Sequence, residues 1–169
     1  MRKSDAIVQF SGLESGKYEY HYTLGSDFFS EFENEELRDG DVDFRVVLEK
    51  TERSMMFTFS FSGSVRSFCD RCLGEMDVPV SGEEHLCIKL SNDERCDNED
   101  MFILPENASR IDLSQWMYEY VVVSLPMRKV HEDGQCDSEM LRYIEQPSSE
   151  VSESEAVDPR WSVLEKLKG

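Results

Sequence analysis

The feature that most constrains the fold is an alternation of apolar and polar residues through much of the first ninety residues. The first run, residues 17–24, alternates three tyrosines and a leucine with polar side chains. Two further runs, 43–49 and 55–62, follow the same period of two and are separated by a short polar break. This period places alternate side chains on opposite faces of an extended strand, so each run predicts a half-buried β-strand. Such strands normally pair antiparallel.

A fourth strand is predicted over residues 77–91, because five aliphatic residues fall on one of its faces. They are Val78, Val80, Leu86, Ile88 and Leu90. Residues 27–36 place Phe28, Phe29 and Phe32 at helical spacing and predict a short helix. The N-terminal half is therefore expected to form an antiparallel β-sheet or a partial barrel.

The second half of the chain predicts two to three helices, which makes the fold class α+β. Residues 113–124 carry an apolar stripe at helical spacing, Asp112 and Gln115 have the spacing of a capping box, and Pro126 ends the helix. A shorter helix is expected after Asp137. Its inward-facing residues would be Met140, Leu141 and Ile144.

The expected domain organisation is one α+β domain over residues 1–145, followed by a tail. Residues 146–157 are rich in serine and glutamate and contain no aromatic residue, so they are expected to form a disordered acidic linker. Residues 158–169 predict a last helix, with Asp158 as its cap and Pro159 at its first position. Trp161, Leu164 and Leu167 give this helix an apolar edge.

The net charge of −18 is concentrated in three stretches. Residues 31–43, 93–100 and 132–158 together hold 21 acidic and three basic residues, and the rest of the chain is neutral. This balance excludes a non-specific phosphate binder, since such binding depends on lysine and arginine. The stretches are either solvated loops and tails or docking arms for a basic partner.

Neither a membrane-spanning segment nor an export signal is visible in the sequence. A cytoplasmic location is therefore expected. An odd number of cysteines, five, in a reducing compartment argues against a disulfide framework.

The sharpest motif is Cys69-Asp70-Arg71-Cys72-Leu73-Gly74, a pair of cysteines followed by a glycine. Two thiolates on a tight turn can bind one tetrahedral zinc ion, and we expect Gly74 to supply the backbone conformation of the turn. A redox dithiol uses the same spacing but normally begins a helix. Here the motif lies between two predicted strands, which favours a zinc knuckle.

The other two ligands of one structural zinc ion are expected from His131 and Cys136, with Gly134 between them for a turn. The weak point is the separation, because 58 residues lie between Cys72 and His131. The alternative is a set of reduced, partly buried thiols. Cys87 and Cys96 could replace a ligand but are better interpreted as surface or half-buried thiols. The sequence shows no catalytic triad, no nucleotide-binding loop and no small-molecule site.

Four basic residues would surround the metal site if its two halves converge: Arg66, Arg71, Arg128 and Lys129. They would form a small positive patch, sufficient for a few phosphate contacts in a structured RNA. Nearby acidic residues, among them Asp70 and Asp77, dilute this patch. A rival hypothesis from another class is a zinc- or thiol-dependent enzyme that uses the two cysteines of the knuckle.

Several of these motifs, taken in order, resemble the YceD family, also called large ribosomal RNA subunit accumulation proteins. The resemblance rests on the knuckle after a strand-rich half, a helix from Asp112 to Pro126, Cys136, and the terminal Asp158-Pro159-Arg160-Trp161. It implies a non-enzymatic role in biogenesis of the large ribosomal subunit. By this resemblance, the motif positions of the family correspond to Cys69, Cys72, Cys136 and the Asp158–Arg160 segment of this chain.

Two mechanisms reconcile this implied role with the acidic charge. In the first, which we favour, the acidic stretches bind a basic ribosomal protein or a pre-ribosomal particle. In the second, the basic patch near Cys69 and His131 contacts RNA locally, while the acidic arms limit non-specific binding. Asp158 and Arg160 are further candidates for partner contacts.

Overall fold

The structure is a computed structural model that describes residues 3–32, 34, 37, 39–92 and 101–145. After a 3₁₀ turn at Lys3–Ala6, its elements follow in chain order: β1 (Ile7–Gln9), β2 (Gly16–Leu24), α1 (Ser26–Phe29), β3 (Asp39–Lys50), β4 (Ser54–Phe68), β5 (Glu75–Leu90), β6 (Met101–Leu104), β7 (Arg110–Asp112), α2 (Ser114–Ser124) and α3 (Ser138–Glu145).

The main sheet has five strands in the order β2-β3-β4-β5-β6. The four strands predicted from alternation are all present, and each pairs antiparallel with the next. The expectation of a purely antiparallel sheet is wrong, because β6 pairs parallel to β5, with Cys87 opposite Met101. A tight hairpin turn joins only antiparallel strands, and ten residues separate β5 from β6. A separate pair, β1 with β7, has no signal in the sequence.

The hydrophobic core lies on one face of the main sheet, as the period of two predicts. Met55, Phe57, Phe59 and Phe61 of β4 are buried, whereas Met56 between them is exposed. Each phenylalanine buried in this way contributes about 1.5–3 kcal/mol to folding. Phe28 and Phe29 of α1, and Met117 and Val121 of α2, complete the same core.

Gly63 allows the close approach of β3 to the middle of β4. A Cβ atom built at Gly63 would overlap the carbonyl oxygen of Asp41 on β3, so no side chain fits there. Beyond Gly63, β4 continues to pair with β5, and the last pair of these two strands is Phe68 opposite Glu75. The hairpin of β4 and β5 therefore carries residues 69–74 at its tip.

The helices follow the sequence prediction with three differences. α1 is shorter than the predicted 27–36. Gln115 donates to Glu119 instead of completing a capping box, although Asp112 Oδ1 accepts a hydrogen bond from Ser114 N at 2.9 Å. α2 ends before Pro126, as predicted. Ile144 of α3 is exposed rather than inward-facing.

The predicted linker 146–157, the predicted helix 158–169 and the acidic stretch 93–100 lie outside the described residues.

Candidate metal centre

The knuckle, residues 69–74, is closed by its own backbone. Cys69 N donates to the carbonyl oxygen of Gly74 at 2.8 Å, and Leu73 N donates to that of Cys69 at 2.9 Å. The left-handed residue of this turn is Leu73, with φ of 58°, and not Gly74 as the sequence suggested. Gly74 instead lies against the sulfur of Cys72 and the ring of His131, each 3.5 Å from a Cβ built on it.

The second half of the centre is the segment 127–137, which is tied directly to the knuckle. Asp70 N donates to the carbonyl oxygen of Lys129 at 2.7 Å, and Lys129 N donates to Asp70 Oδ2 at 2.6 Å. These two bonds close the gap of 58 residues that made the site doubtful from sequence. The chain then turns at Gly134, whose φ of 86° confirms the expected turn glycine.

Four potential ligand atoms converge where these segments meet, and all lie within 4.8 Å of one another. They belong to Cys69, Cys72, His131 and Cys136. The sulfurs of Cys69 and Cys136 are 3.9 Å apart, and Cys72 Sγ is 3.4 Å from His131 Nδ1. Tetrahedral zinc with ordinary bond lengths separates two sulfurs by about 3.8 Å, and a sulfur from a nitrogen by about 3.6 Å. The cluster is compatible with a structural metal site.

The ring of His131 is oriented for ligation by its other nitrogen. His131 Nε2 lies 3.1 Å from the carbonyl oxygen of Glu75. A carbonyl oxygen only accepts hydrogen bonds, so Nε2 must carry the proton. In its neutral form the ring presents the Nδ1 lone pair to the three sulfurs, and the neighbouring Cys72 sulfur raises the pKa of His131. Such an outer partner is typical of metal-bound histidines.

The surroundings of the thiols favour the thiolate form at two of the three cysteines. Burial raises the pKa of Cys69, but the backbone N–H groups of Cys72 and His131 outweigh it and lower that pKa to about 6. The pKa of Cys72 is lowered chiefly by the backbone N–H of Asp137. Burial raises the pKa of Cys136. Because metals bind the thiolate, the knuckle half is prepared for binding at neutral pH.

The centre is enclosed by protein. Cys69, Cys72 and Cys136 are buried, and four apolar residues pack around them, namely Met76, Val130, Met140 and Leu141. Four protein donors match the ligand number of structural zinc sites, whereas catalytic zinc keeps one position for water or substrate. The knuckle also follows a strand and does not begin a helix, unlike a redox dithiol.

The basic residues predicted around the centre are arranged unequally. Arg66 forms ion pairs with Asp39 at 3.3 Å and Asp77 at 3.6 Å. Arg71 is half-buried within the knuckle and Arg128 is exposed in the facing segment. Lys129 contributes its backbone to the contact with Asp70. The other predicted partner residues, Asp158 and Arg160, lie outside the described part of the chain.

Sequence reasoning missed two groups of the centre. Asp70 was expected only to dilute positive charge, yet it joins the two halves. The carbonyl group of Glu75 orients His131 and has no signature in sequence, because every residue carries a backbone carbonyl. Cys87 lies half-buried on the sheet, opposite Met56, and is not a member of the cluster. Cys96 lies outside the described residues.

Comparison with known families gives a match that covers the residues of this site. Residues 57–168, about two-thirds of the chain, match the family described as Large ribosomal RNA subunit accumulation protein YceD. The chain belongs to the YceD family. The match begins within β4 and includes all four members of the cluster. The description of the YceD family indicates a role in accumulation of the large-subunit ribosomal RNA.

Comparison with curated proteins and with solved structures gives no match. Among the described residues, none of the helices is long and apolar enough to cross a membrane.

Proposed function

We propose that this protein is a non-enzymatic biogenesis factor of the large ribosomal subunit in the cytoplasm. It supports accumulation of large-subunit ribosomal RNA by binding a basic ribosomal protein or a pre-ribosomal particle. The observation that carries this proposal is the YceD family match over residues 57–168. The net charge of −18 favours a basic protein as the direct partner, since bulk binding of RNA needs cations on the protein.

The decisive experiment is depletion of the protein from cells, followed by sedimentation of ribosomal particles. We expect mature large subunits to decline and the protein to migrate with large-subunit precursors. Normal large-subunit levels after complete depletion would refute the proposed role.

The metal centre is proposed to hold one structural zinc ion through Cys69, Cys72, His131 and Cys136. The sulfur and nitrogen separations, the ring orientation of His131 and the burial of the three thiols support zinc. Zinc would join the tip of the β4–β5 hairpin to the segment before α3.

Metal analysis of protein purified without chelators tests this assignment. We expect about one zinc ion per chain, with zinc lost in Cys69→Ser/Cys72→Ser. Cys87→Ser is the matched control, because Cys87 lies outside the cluster and its replacement should leave the zinc content unchanged. A folded wild-type protein without metal would refute the assignment.

The described parts of two acidic stretches supply the proposed docking groups. Asp41 and Asp43 project from β3 on the face opposite the core, and both are exposed. The second stretch begins at the metal centre, where Glu132 and Asp133 are exposed in the turn between two proposed ligands. A partner rich in lysine and arginine would meet carboxylates from both stretches.

Pull-down of purified basic ribosomal proteins tests the docking groups. The wild-type chain should capture a basic ribosomal protein, and a variant with the acids of 31–43 and 132–158 neutralised should not. A control variant, Glu49→Gln/Glu83→Gln/Glu84→Gln, removes charge from the sheet outside these stretches and should retain binding. Equal capture by all three proteins would contradict docking through the acidic stretches.

A second candidate is local contact with RNA, favoured by the positions of Arg71 and Arg128 beside the knuckle. RNA crosslinking to the purified protein should fall in Arg71→Gln/Arg128→Gln if these side chains contact phosphates. Unchanged crosslinking would leave the acidic docking groups as the sole proposed contact.

A further inference from the structure

The end of the molecule at the metal centre exposes an unusual share of large apolar side chains. Among the described residues, five of the ten exposed large apolar side chains lie there: Phe68, Leu73, Met127, Tyr143 and Ile144. We call these five side chains the metal-centre surface. Leu73 is 66% exposed, Tyr143 is 74% exposed and Met127 is fully exposed. Concentrated apolar exposure of this kind marks interaction sites in soluble proteins.

The same contacts that build the metal centre bring this surface together. Phe68 and Leu73 flank the knuckle cysteines, and Met127 lies two residues before Lys129, whose backbone bonds to Asp70. Tyr143 and Ile144 belong to α3, which packs on the cysteine cluster through Met140 and Leu141. The surface thus joins the knuckle to the segment from Met127 through α3, which follows it more than fifty residues later in the sequence.

The conformation of Leu73 places an apolar side chain at the tip of the knuckle. Its φ of 58° lies in the left-handed region that favours glycine. This conformation lets Leu73 N close the turn on the carbonyl oxygen of Cys69, but it leaves the leucine side chain exposed. The turn therefore holds an exposed apolar side chain at the tip of the knuckle, where it can serve as an anchor for a partner.

The charge around the surface is acidic. Residues 68–77 and 127–145 together carry eight carboxylates and four basic side chains. Seven of those carboxylates are exposed: Asp70, Glu75, Asp77, Glu132, Asp133, Asp137 and Glu139. An apolar surface with an acidic rim is complementary to a protein segment whose apolar anchors are flanked by lysine and arginine. The excess of carboxylates disfavours RNA, and the net charge of −18 disfavours a second copy of this chain.

We propose that the metal-centre surface binds a basic amphipathic segment of a partner protein, whose apolar residues cover Leu73 and Met127. This inference rests on the proposed function, because it specifies how a basic ribosomal partner is held. It adds apolar anchors to the acidic docking groups and locates the contact beside the knuckle.

A binding assay with a synthetic probe tests the surface. The probe is a fluorescein-labelled helical peptide of leucine and lysine, with leucine at every third or fourth position, and its counterpart replaces each lysine by glutamate. Anisotropy measures binding to the full-length chain. We expect Leu73→Ser/Met127→Ser to weaken lysine-peptide binding by at least about tenfold, because interface anchors carry most of the affinity. Met56→Ser, which removes an exposed apolar side chain from the sheet, is the matched control and should bind like wild type.

Charge is tested in the same assay. Glu132→Gln/Asp133→Asn/Glu139→Gln should weaken binding of the lysine peptide, whereas Glu49→Gln/Glu83→Gln/Glu84→Gln should not. Zinc content and circular dichroism verify that each variant is folded.

Three outcomes would overturn the proposal. The first is unchanged binding by Leu73→Ser/Met127→Ser. The second is equal binding of the glutamate peptide. The third is binding that appears only in Trp161→Ala/Leu164→Ala, because the C-terminal segment of this chain would then be the occupant.

Complementation separates this proposal from the proposed function. If wild-type protein and Leu73→Ser/Met127→Ser both restore large-subunit accumulation in depleted cells, the function stands and the binding surface is refuted. If wild-type protein restores nothing, the function itself fails, whatever the peptide assay shows.

Discussion

Replacement of Asp70 by alanine is the sharpest test of how the metal centre is assembled. Asp70 Oδ2 accepts a hydrogen bond from Lys129 N at 2.6 Å, across the gap of 58 residues between the two pairs of proposed ligands. Asp70→Ala removes this carboxylate and leaves all four ligands in place. The backbone bond from Asp70 N to the carbonyl oxygen of Lys129 remains.

The size of the effect follows from the type of bond. A hydrogen bond to a charged group is worth about 1.5–3 kcal/mol, and the exposure of Asp70 reduces this to about 1–2 kcal/mol. This bond holds the second pair of ligands beside the first, so without it part of the free energy of metal binding is spent on bringing the two pairs together. Zinc affinity should therefore fall by about 5- to 30-fold.

Competition with a chromophoric zinc chelator measures this change directly. Asp70→Asn retains an oxygen acceptor and should lose less affinity than Asp70→Ala. Asp77→Ala is the matched control, since Asp77 is also an exposed carboxylate but pairs with Arg66 instead of the segment 127–137. Equal zinc affinity of Asp70→Ala and Asp77→Ala would refute the role of Asp70 in assembling the centre.

Three further outcomes follow from the structure. Phe59 is fully buried, and its ring centroid is 5.1 Å from that of Tyr120 on α2. Urea unfolding should show that Phe59→Ala lowers the free energy of unfolding by about 3–5 kcal/mol, whereas Ser62→Ala, at an exposed position, lowers it by less than about 0.5 kcal/mol. Gly63→Ala should lower the free energy of unfolding by about 1–3 kcal/mol in the same assay, because the added Cβ overlaps Asp41. A Gly63→Ala variant as stable as wild type would contradict the close approach of β3. In metal-free protein the pKa of Cys69 is lowered from its ordinary value of 9.0 to about 6, so its thiolate stabilises the folded state, and this contribution is lost as the pH falls from about 9 to about 6. Urea unfolding of the metal-free proteins should show a larger fall in the free energy of unfolding over this range for wild type than for Cys69→Ser, and an equal fall would contradict the lowered pKa.

The alternation of side chains was sufficient to locate the four long strands and their buried faces. Burial of alternate residues is a local property of a strand and does not depend on which strand it pairs with. The buried residues Met55, Phe57 and Phe59 therefore show the pattern in the sequence alone. The pairing of β6 is different. The direction of β6 depends on the path of the connection that precedes it. The four residues of β6 itself carry no pattern that distinguishes a parallel from an antiparallel strand. The pair of β1 with β7 could not be predicted either, because it joins segments about a hundred residues apart in the sequence.

The choice of four candidate ligands came from residue chemistry, since cysteine and histidine are the residues that zinc prefers. Their convergence came from the fold. Packing of α2 against the sheet and the bonds between Asp70 and Lys129 bring His131 to Cys72, and a local spacing rule contains neither interaction.

Sequence by itself determined an acidic α+β protein with half-buried strands, a cysteine knuckle and a charge concentrated in three stretches. These properties depend on side-chain type and short-range periodicity, which are read along the chain. Tertiary structure alone decided that Leu73, and not Gly74, takes the left-handed conformation, that the carbonyl group of Glu75 orients His131, and that exposed apolar residues gather beside the metal centre. Each of these depends on backbone groups or on distant segments in contact, and neither is visible in the order of side chains.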